Sequence, residues 1–238
     1  MIAPKNNSII CFLPCCGSKD PNGDILTDKK GSLFLSHNIS KSLTKIRYHG
    51  KFNIDKASKL TSGFRLYSGS PYQAITSKTK LEKALLDNKL KLFIISAGYG
   101  VLDAREAIHN YDEVMKGNIA KYWKDANLVN IIANIINEEK PKEVYGYFAG
   151  IRDWSNPSSK YRYFFTKAVL NAIGRNNTII HAGCFYRKEG RGVKAILNAI
   201  GRTFNDTFEN NFNSEYIKNI EVNNRIDGNV VIGFDRLK

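Results

Sequence analysis

The sequence predicts an α/β fold with a mostly parallel central sheet, flanking helices and a polar insertion after the first strand. Short apolar runs recur along the 238 residues, and segments with helical spacing of apolar residues lie between them. The apolar runs end near glycine or proline, as buried strands do. This alternation is typical of parallel sheets. We expect residues 1–238 to form a single domain, with 22–63 as the insertion.

The predicted elements follow in chain order. Buried strands are expected over 8–14, 91–97, 143–149, 178–182 and 229–234. Helices are expected over 71–88, 118–139, 160–174, 190–202 and 212–219, with one more around 33–46 inside the insertion. Ser70 is predicted to cap the helix that Pro71 begins. The near-identical segments 168–175 and 195–202 both end in Gly-Arg, which predicts two helices that close on a glycine.

The charge of the chain is its most unusual bulk property. Lysine and arginine number 36 against 22 acidic residues, a net charge of +14. The excess is local, because residues 151–202 hold ten basic and two acidic side chains. A concentrated basic region is typical of proteins that bind nucleic acid. A Lys- and Asn-rich composition alone is the alternative explanation. We therefore expect 151–202 to be a basic helical region that binds nucleic acid.

Other classes of protein are disfavoured. No apolar run reaches the length of a membrane span, and the first residues lack the apolar stretch of a signal peptide. The four cysteines and four histidines show no metal-ligand spacing. We expect a cytoplasmic protein with reduced thiols, no metal, no cofactor, no membrane association and no obligate protein partner.

Two motifs occur where phosphate could bind. Cys16-Gly17-Ser18-Lys19 follows the first strand, where backbone N–H groups, a hydroxyl and an ammonium can hold an anion, although the pattern is not a P-loop. The segment 66–72, Leu-Tyr-Ser-Gly-Ser-Pro-Tyr, leads into a helix. Its hydroxyls could bind phosphate and its aromatic rings could stack on a base. An ordinary loop and a plain helix cap are the alternative interpretations.

Two later motifs carry carboxylates and cations. The segment 94–103 ends a buried strand in small residues and is expected to place Asp103 on a loop, with Tyr111-Asp112 shortly after. The segment 181–187, His-Ala-Gly-Cys-Phe-Tyr-Arg, is expected to end a strand and enter a basic stretch. Phosphate binding or a solvated helix face would both account for that stretch. A further group of aromatic and basic residues lies at 152–154 and 161–163.

The four motifs in this order resemble those of the DUF6884 family and, more distantly, the peroxide-stress YaaA proteins. The shared features are Cys-Gly-Ser-Lys, Leu-Tyr-Ser-x-Ser-Pro-Tyr, Ser-Ala-x-Tyr-Gly-Val-Leu-Asp leading to Tyr-Asp, and Ala-Gly-x-x-Tyr-Arg, which together extend over about 8–202. The resemblance implies DNA binding and the excision or exchange of nucleobases, including glycosylases that attack modified phage DNA. The insertion at 22–63 departs from the family pattern and bears on substrate choice.

The resemblance implies an enzyme that hydrolyses the N-glycosidic bond of a modified base in DNA, hydroxymethylated or glucosylated, and leaves an abasic site in anti-phage defence. Such an enzyme flips the base into a pocket and needs a carboxylate near the anomeric carbon. We expect Asp112 to be that carboxylate, with Asp103, which could instead cap a helix, and Ser96 as the other catalytic candidates. The candidates for binding DNA are Cys16, Gly17, Ser18, Lys19, Tyr67, Ser68, Ser70, Tyr99, Tyr111, Arg152, Tyr186, Arg187, Lys188, Arg191 and Lys194.

Two other functions remain open at this stage. One is a non-enzymatic DNA-binding protein of the stress response, which needs the basic surface but no catalytic carboxylate. The other is a base-exchanging enzyme that acts on nucleotides or tRNA. A nucleotide-level enzyme would not require a net charge of +14.

Overall fold

A computed structural model describes residues 9–27, 35–50, 52–150, 160–175 and 178–238. Its strands are β1 (Ile9–Pro14), β2 (Thr61–Ser62), β3 (Lys91–Ser96), β4 (Gly100–Asp103), β5 (Ala107–Ile108), β6 (Glu143–Phe148), β7 (His181–Glu189), β8 (Arg225–Asp227) and β9 (Val230–Arg236). Its helices are α1 (His37–His49), α2 (Gly63–Leu66), α3 (Ser70–Gln73), α4 (Lys78–Leu86), α5 (Gly117–Asp125), α6 (Leu128–Glu139), α7 (Lys160–Ile173), α8 (Val193–Glu209) and α9 (Ser214–Asn223).

The main sheet has seven strands in the order β4-β3-β1-β6-β7-β9-β8. The four central strands, β3, β1, β6 and β7, run parallel, while β4, β9 and β8 extend the sheet in antiparallel pairs. Phe12 of β1 stands opposite Phe93 of β3 on one side and Gly146 of β6 on the other. The fold is therefore α/β with a mixed, mostly parallel central sheet, as the sequence predicts.

Helices cover both faces of this sheet because the central strands are apolar on both faces. Neighbouring residues of β6 contact helices on opposite faces of the sheet. Phe148 packs against Phe165 of α7, with ring centroids 5.4 Å apart. The hydroxyl of Tyr147, next along the strand, lies 2.7 Å from Thr207 Oγ1 of α8 on the opposite face. Within the described residues, no helix is long and apolar enough to span a membrane.

Several predicted boundaries were wrong. The predicted helix 71–88 is two helices, α3 and α4, and the predicted helix 118–139 is divided at Asn127, whose φ of 62° is left-handed. Gly69, not Ser70, is the N-cap of α3. The strand predicted to end at residue 182 instead continues to Glu189, so 151–202 is not purely helical.

The segment 22–63 contributes the helix α1, which covers the free edge of β4. Arg47 donates hydrogen bonds to the carbonyl oxygens of Tyr99 (2.9 Å) and Val101 (2.8 Å) and pairs with Glu106 at 2.7 Å. An uncovered edge strand presents such carbonyl groups to other chains. Arg47 therefore closes one end of the sheet.

Candidate functional site

The carboxyl ends of β1 and β3 lie side by side and carry the motifs that the sequence singles out. The backbone N–H of Cys15 donates to the carbonyl of Ile95 (2.9 Å), which extends the parallel pairing one residue beyond β1. The loop after β1, residues 15–19, therefore leaves the sheet next to Ser96, the last residue of β3. Ligands of open α/β sheets bind at this edge.

Three hydroxyl groups meet below this loop, and we refer to Tyr67, Ser96 and Tyr111 as the hydroxyl ring. The Tyr67 and Tyr111 hydroxyls are 2.8 Å apart, and they lie 3.3 and 2.9 Å from Ser96 Oγ. Ser96 Oγ also accepts a hydrogen bond from the backbone N–H of Tyr99 (3.1 Å). With Tyr67 donating to Ser96, Ser96 donates to Tyr111 and Tyr111 to Tyr67, so every hydroxyl proton has an acceptor.

The phenols of the hydroxyl ring are neutral at physiological pH. Burial raises the pKa of Tyr67 and of Tyr111 well above the usual value for tyrosine, because the phenolate would lose its hydration. Burial also raises the pKa of Tyr99 to about 12. These side chains can therefore donate and accept hydrogen bonds but cannot act as bases.

The turn between β3 and β4 makes room for this cluster. A Cβ on Gly98 would lie 2.6 Å from the ring of Tyr111, so only glycine allows that ring to reach Ser96. Tyr99 packs edge-to-face on Tyr111, with ring centroids 5.5 Å apart, and donates its hydroxyl to the carbonyl of His109. The small residues after β3 thus leave room for the ring of Tyr111, which belongs to the protein itself.

The loop after β1 lies over the hydroxyl ring. The ammonium of Lys19 is 4.2 Å from the centroid of the Tyr111 ring, and Lys19 forms an isolated β-bridge with Tyr67. The backbone N–H of Ser68 donates to the carbonyl of Ser18 (3.1 Å). Gly17 and Ser18 are exposed, and no atom lies within 4 Å of the position of a Cβ on Gly17. The loop therefore offers an open surface beside a cation.

The two adjacent cysteines tie the loop to its surroundings as thiols. Cys15 Sγ is 3.1 Å from the hydroxyl of Tyr161, at the start of α7. Cys16 Sγ accepts from the backbone N–H of Gly69 (3.3 Å) and donates to the carbonyl of Ser18 (3.0 Å). Burial raises the pKa of Cys16 to about 11, so its nucleophilic thiolate is scarce at neutral pH.

Most of the predicted site residues on the first three motifs are brought together here. They are Cys16, Gly17, Ser18, Lys19, Tyr67, Ser68, Ser96, Tyr99 and Tyr111. Ser70 follows in α3, a helix of four residues, which is too short to provide the anion site expected of a helix N-terminus.

Asp103 is not on a loop, and that prediction was wrong. It is the last residue of β4 and pairs with Phe93 of β3. Phe93 lies three residues before Ser96, so Asp103 is distant from the carboxyl end of β3. Its two carboxylate oxygens accept hydrogen bonds of 2.8 Å from Arg105, and the side chain is buried. The strand β5 follows, so Asp103 caps no helix either. Its carboxylate is held within the fold, away from the hydroxyl ring.

Asp112 is exposed, directly after the buried Tyr111. Its backbone N–H donates to the carbonyl of Asn53 (3.1 Å), and the backbone N–H of Asn53 donates to Oε1 of Glu113 (2.9 Å). The segment 52–54 thus fixes the backbone at Asp112 while its carboxylate faces solvent. The insertion therefore contributes to the position of this residue.

The basic stretch that begins in the last residues of β7 and reaches the start of α8 lies at the same edge of the sheet. Phe148, the last residue of β6, pairs with Tyr186, so residues 187–194 extend beyond β6 at its carboxyl end, although Arg187 and Glu189 still pair with β9. Lys188, Arg191 and Lys194 are exposed, and Arg187 is half-buried. We refer to residues 187–194 as the basic edge segment.

One of the predicted DNA contacts, Tyr186, differs from this pattern. Tyr186 is buried, and the guanidinium of Arg162 lies 4.1 Å from the centroid of its ring. Arg162 is itself buried and paired with Asp235, so Tyr186 and Arg162 belong to the core. Arg152 and its neighbours at 153–154 lie outside the described residues.

Sequence reasoning missed the contact between Cys15 and Tyr161. The two residues are 146 positions apart, and the sequence places Tyr161 in a group of aromatic and basic residues with Arg162 and Tyr163. The sequence signal that could have indicated this contact is the position of Cys15 directly after a strand of a parallel sheet. Within the described ranges, His, Cys, Asp and Glu form no group of three or more that could hold a metal ion.

No family model matches the chain, and no curated protein matches it significantly.

Proposed function

We propose that this protein is a DNA glycosylase that hydrolyses the N-glycosidic bond of a modified base and leaves an abasic site. The observation that carries the proposal is the hydroxyl ring of Tyr67, Ser96 and Tyr111, which lies next to an exposed glycine loop with a cation at the carboxyl edge of the sheet. The order of the sequence motifs and the net charge of +14 also support it.

In this proposal the flipped base lies on the open loop after β1, and the buried hydroxyl ring beneath it exchanges one of its internal hydrogen bonds for one with the base edge. Neutral phenols and a serine hydroxyl can exchange hydrogen bonds with the carbonyl and amino groups of a base edge. A hydroxymethyl or glucosyl group adds further hydroxyls, which would contact Ser18 and Lys19 on the open loop. Lys19 would also contact the phosphate of the flipped nucleotide.

Asp112 is the proposed catalytic carboxylate. It would take a proton from water as the water oxygen bonds to C1′ of the sugar, while the bond between C1′ and the base nitrogen breaks. The base then leaves with the electron pair of that bond and takes up a proton from solvent. A carboxylate stabilises the positive charge that develops on the sugar in such a reaction.

The basic edge segment is proposed to bind the DNA backbone. Lys188, Arg191 and Lys194 are exposed at the same edge of the sheet as the hydroxyl ring. Phosphate contacts of this kind position the duplex and offset the cost of base flipping. Cytoplasmic anti-phage defence is the setting in which such an enzyme would act.

A non-enzymatic DNA-binding protein is the second candidate, and one observation favours it. The protons of the hydroxyl ring are all used within the ring, so these hydroxyls could serve only to hold the fold together. This candidate keeps the basic edge segment and needs no base pocket.

The two candidates differ in one experiment. Duplexes that contain unmodified, hydroxymethylated or glucosylated cytosine are incubated with the protein, treated with mild alkali and run on a denaturing gel. The glycosylase predicts strand cleavage confined to a modified duplex. Retarded but uncut DNA on every substrate contradicts it and favours the DNA-binding protein.

Asp112→Asn and Glu113→Gln form a matched pair for the same assay. Glu113 is adjacent, and glutamine keeps the oxygen that accepts from Asn53. We expect at least a hundredfold slower cleavage in Asp112→Asn and a near-normal rate in Glu113→Gln. Equal rates in the two variants would remove Asp112 from the catalytic role.

A further inference from the structure

A groove of about 450 Å³ lies between α5 and the start of α7. On the α5 side it is lined by Lys121, Lys124 and Asp125, and on the α7 side by Lys160, Tyr163 and Phe164. Residues three or four positions apart lie on one face of a helix, so each wall presents one helical stripe. Of these residues, Tyr163 belongs to the aromatic and basic group at 161–163, and the others belong to none of the sequence motifs.

The charge of the groove favours an anion. Lys121 and Lys124 are exposed and Lys160 is partly exposed, and none of the three forms an ion pair with another described residue. Among the described residues of the lining, Asp125 is the single carboxylate. Three lysines around a concave surface raise the local concentration of anions.

An aromatic ring lies beside these cations. Tyr163 is half-buried and packs edge-to-face on Phe164, with ring centroids 5.5 Å apart. A tyrosine fixed in this way offers a flat apolar surface at little entropic cost. Cations next to a stacking ring are the combination that binds single-stranded nucleic acid.

Both walls of the groove are fastened to the candidate site. Trp123, adjacent to Lys124, donates its indole N–H to the carbonyl of Ala97 (2.6 Å), directly after Ser96. Tyr161, two residues before Tyr163, contacts Cys15 in the loop after β1. These contacts leave from other faces of α5 and α7 than the faces that line the groove, so the same two helices carry the groove and hold the candidate site.

We infer that this groove binds a nucleotide of an unpaired stretch of DNA. Lys121, Lys124 and Lys160 bind phosphate, and the base stacks on Tyr163. The volume suits one small-molecule-sized group and excludes a duplex. The inference rests on the proposed function for the choice of DNA as the ligand, and it adds a second contact with the substrate strand.

The test is equilibrium binding of an unmodified, fluorescent oligothymidylate, measured by anisotropy over a series of salt concentrations. Lys121→Gln/Lys124→Gln is expected to bind about tenfold or more weakly at low salt. The slope of log affinity against log salt should fall by about 1.4, since each phosphate contact with a single strand contributes about 0.7.

Lys83→Gln/Lys218→Gln is the matched control. Both lysines are exposed, and they lie near Ile9 and His181, the first residues of β1 and β7, at the opposite edge of the sheet. The control removes the same charge, so an affinity within about twofold of wild type is expected. Equal loss in the two double variants would overturn the inference, since net charge alone would then explain binding.

Tyr163→Leu tests the stacking contact separately. It should weaken binding about tenfold and leave the salt slope unchanged, whereas Tyr163→Phe should bind normally. Normal binding by Tyr163→Leu would contradict the assigned base contact. Because the oligonucleotide carries no modified base, these results stand apart from base release. If the groove variants lose binding and the protein releases no base, the groove is supported and the glycosylase proposal is wrong. If the protein releases base and the groove variants bind normally, the glycosylase is supported and the groove inference is wrong.

Discussion

Gly201 of α8 packs directly against the carbonyl group of Pro71 in α3, and a Cβ on Gly201 would lie 2.1 Å from that oxygen. The sequence predicts that this glycine ends a helix, but it lies in the middle of α8. Its role is to let α3 approach, and α3 directly follows the segment that holds Tyr67 and Ser68. The contact thus helps to place one side of the candidate site.

Gly201→Ala should therefore destabilise the protein, and Gly174→Ala should not. Both glycines occur in the sequence Asn-Ala-Ile-Gly-Arg, but a Cβ on Gly174 would meet only carbonyl oxygens at 3.8 Å. We expect Gly201→Ala to lower the free energy of unfolding by about 1–3 kcal/mol, as overpacking does. Urea denaturation of the two variants measures the difference. Similar stabilities would show that α3 shifts without cost.

Arg47 is predicted to contribute more to stability than an exposed ion pair does. Arg47→Met breaks the pair with the buried Glu106 and frees the carbonyl groups of Val101 in β4 and of Tyr99 just before it, which should cost about 3–5 kcal/mol. Lys59→Met is the control, because Lys59 pairs with Asp24 in solvent and its loss should not change stability measurably. Urea denaturation again gives the values, and an unchanged midpoint for Arg47→Met would contradict this role for α1.

The thiol of Cys16 should react slowly in the native state. With a pKa raised by burial to about 11, against 9.0 for an unperturbed thiol, its thiolate fraction at pH 8 is about a hundredfold lower than in the unfolded chain. Alkylation by iodoacetamide should accelerate about tenfold per pH unit from pH 8 to 10. The rate can be followed by mass spectrometry of the Cys16 peptide. Rapid alkylation at pH 7 would show a thiolate, and hence a nucleophile, which would contradict the effect of burial on Cys16.

Tyr111→Phe separates the role of the hydroxyl ring in function from its role in stability. The loss of this hydroxyl should cost about 1 kcal/mol in unfolding free energy and slow base release at least tenfold. Tyr122→Phe is the control, since Tyr122 donates to the carbonyl of Ile46 (2.6 Å) and should cost a similar amount of stability. Base release should remain normal in that control. Equal rates in the two variants would indicate that the hydroxyl ring is structural.

Sequence periodicity predicted the sheet well because its central strands are continuous apolar runs. The runs at β1, β3 and β6 agree with the structure to within a residue or two. Short edge strands were missed, since β4 follows β3 after a turn of three residues and reads as part of the same apolar segment. That one omission put Asp103 on a loop.

The candidate site was predictable only in part. The rule that ligands bind at the carboxyl ends of parallel strands brought Lys19 and Ser96 to one edge. It could not indicate that Tyr111 reaches Ser96, since that contact depends on the absence of a Cβ at Gly98. Nor could it separate Tyr186, which is buried, from Lys188, which is exposed, because alternation does not distinguish residues two positions apart and the difference depends on where β6 ends, at Phe148 opposite Tyr186.

Direct detection of the released base tests most closely whether the protein excises a modified base. Duplex DNA with one modified cytosine is incubated with the protein, and the small-molecule fraction is analysed by mass spectrometry before any alkali is added. If the protein is a glycosylase, we expect free modified base and an abasic site in an otherwise intact strand, with neither product from Asp112→Asn. Intact DNA with no free base from any of the modified duplexes would contradict it.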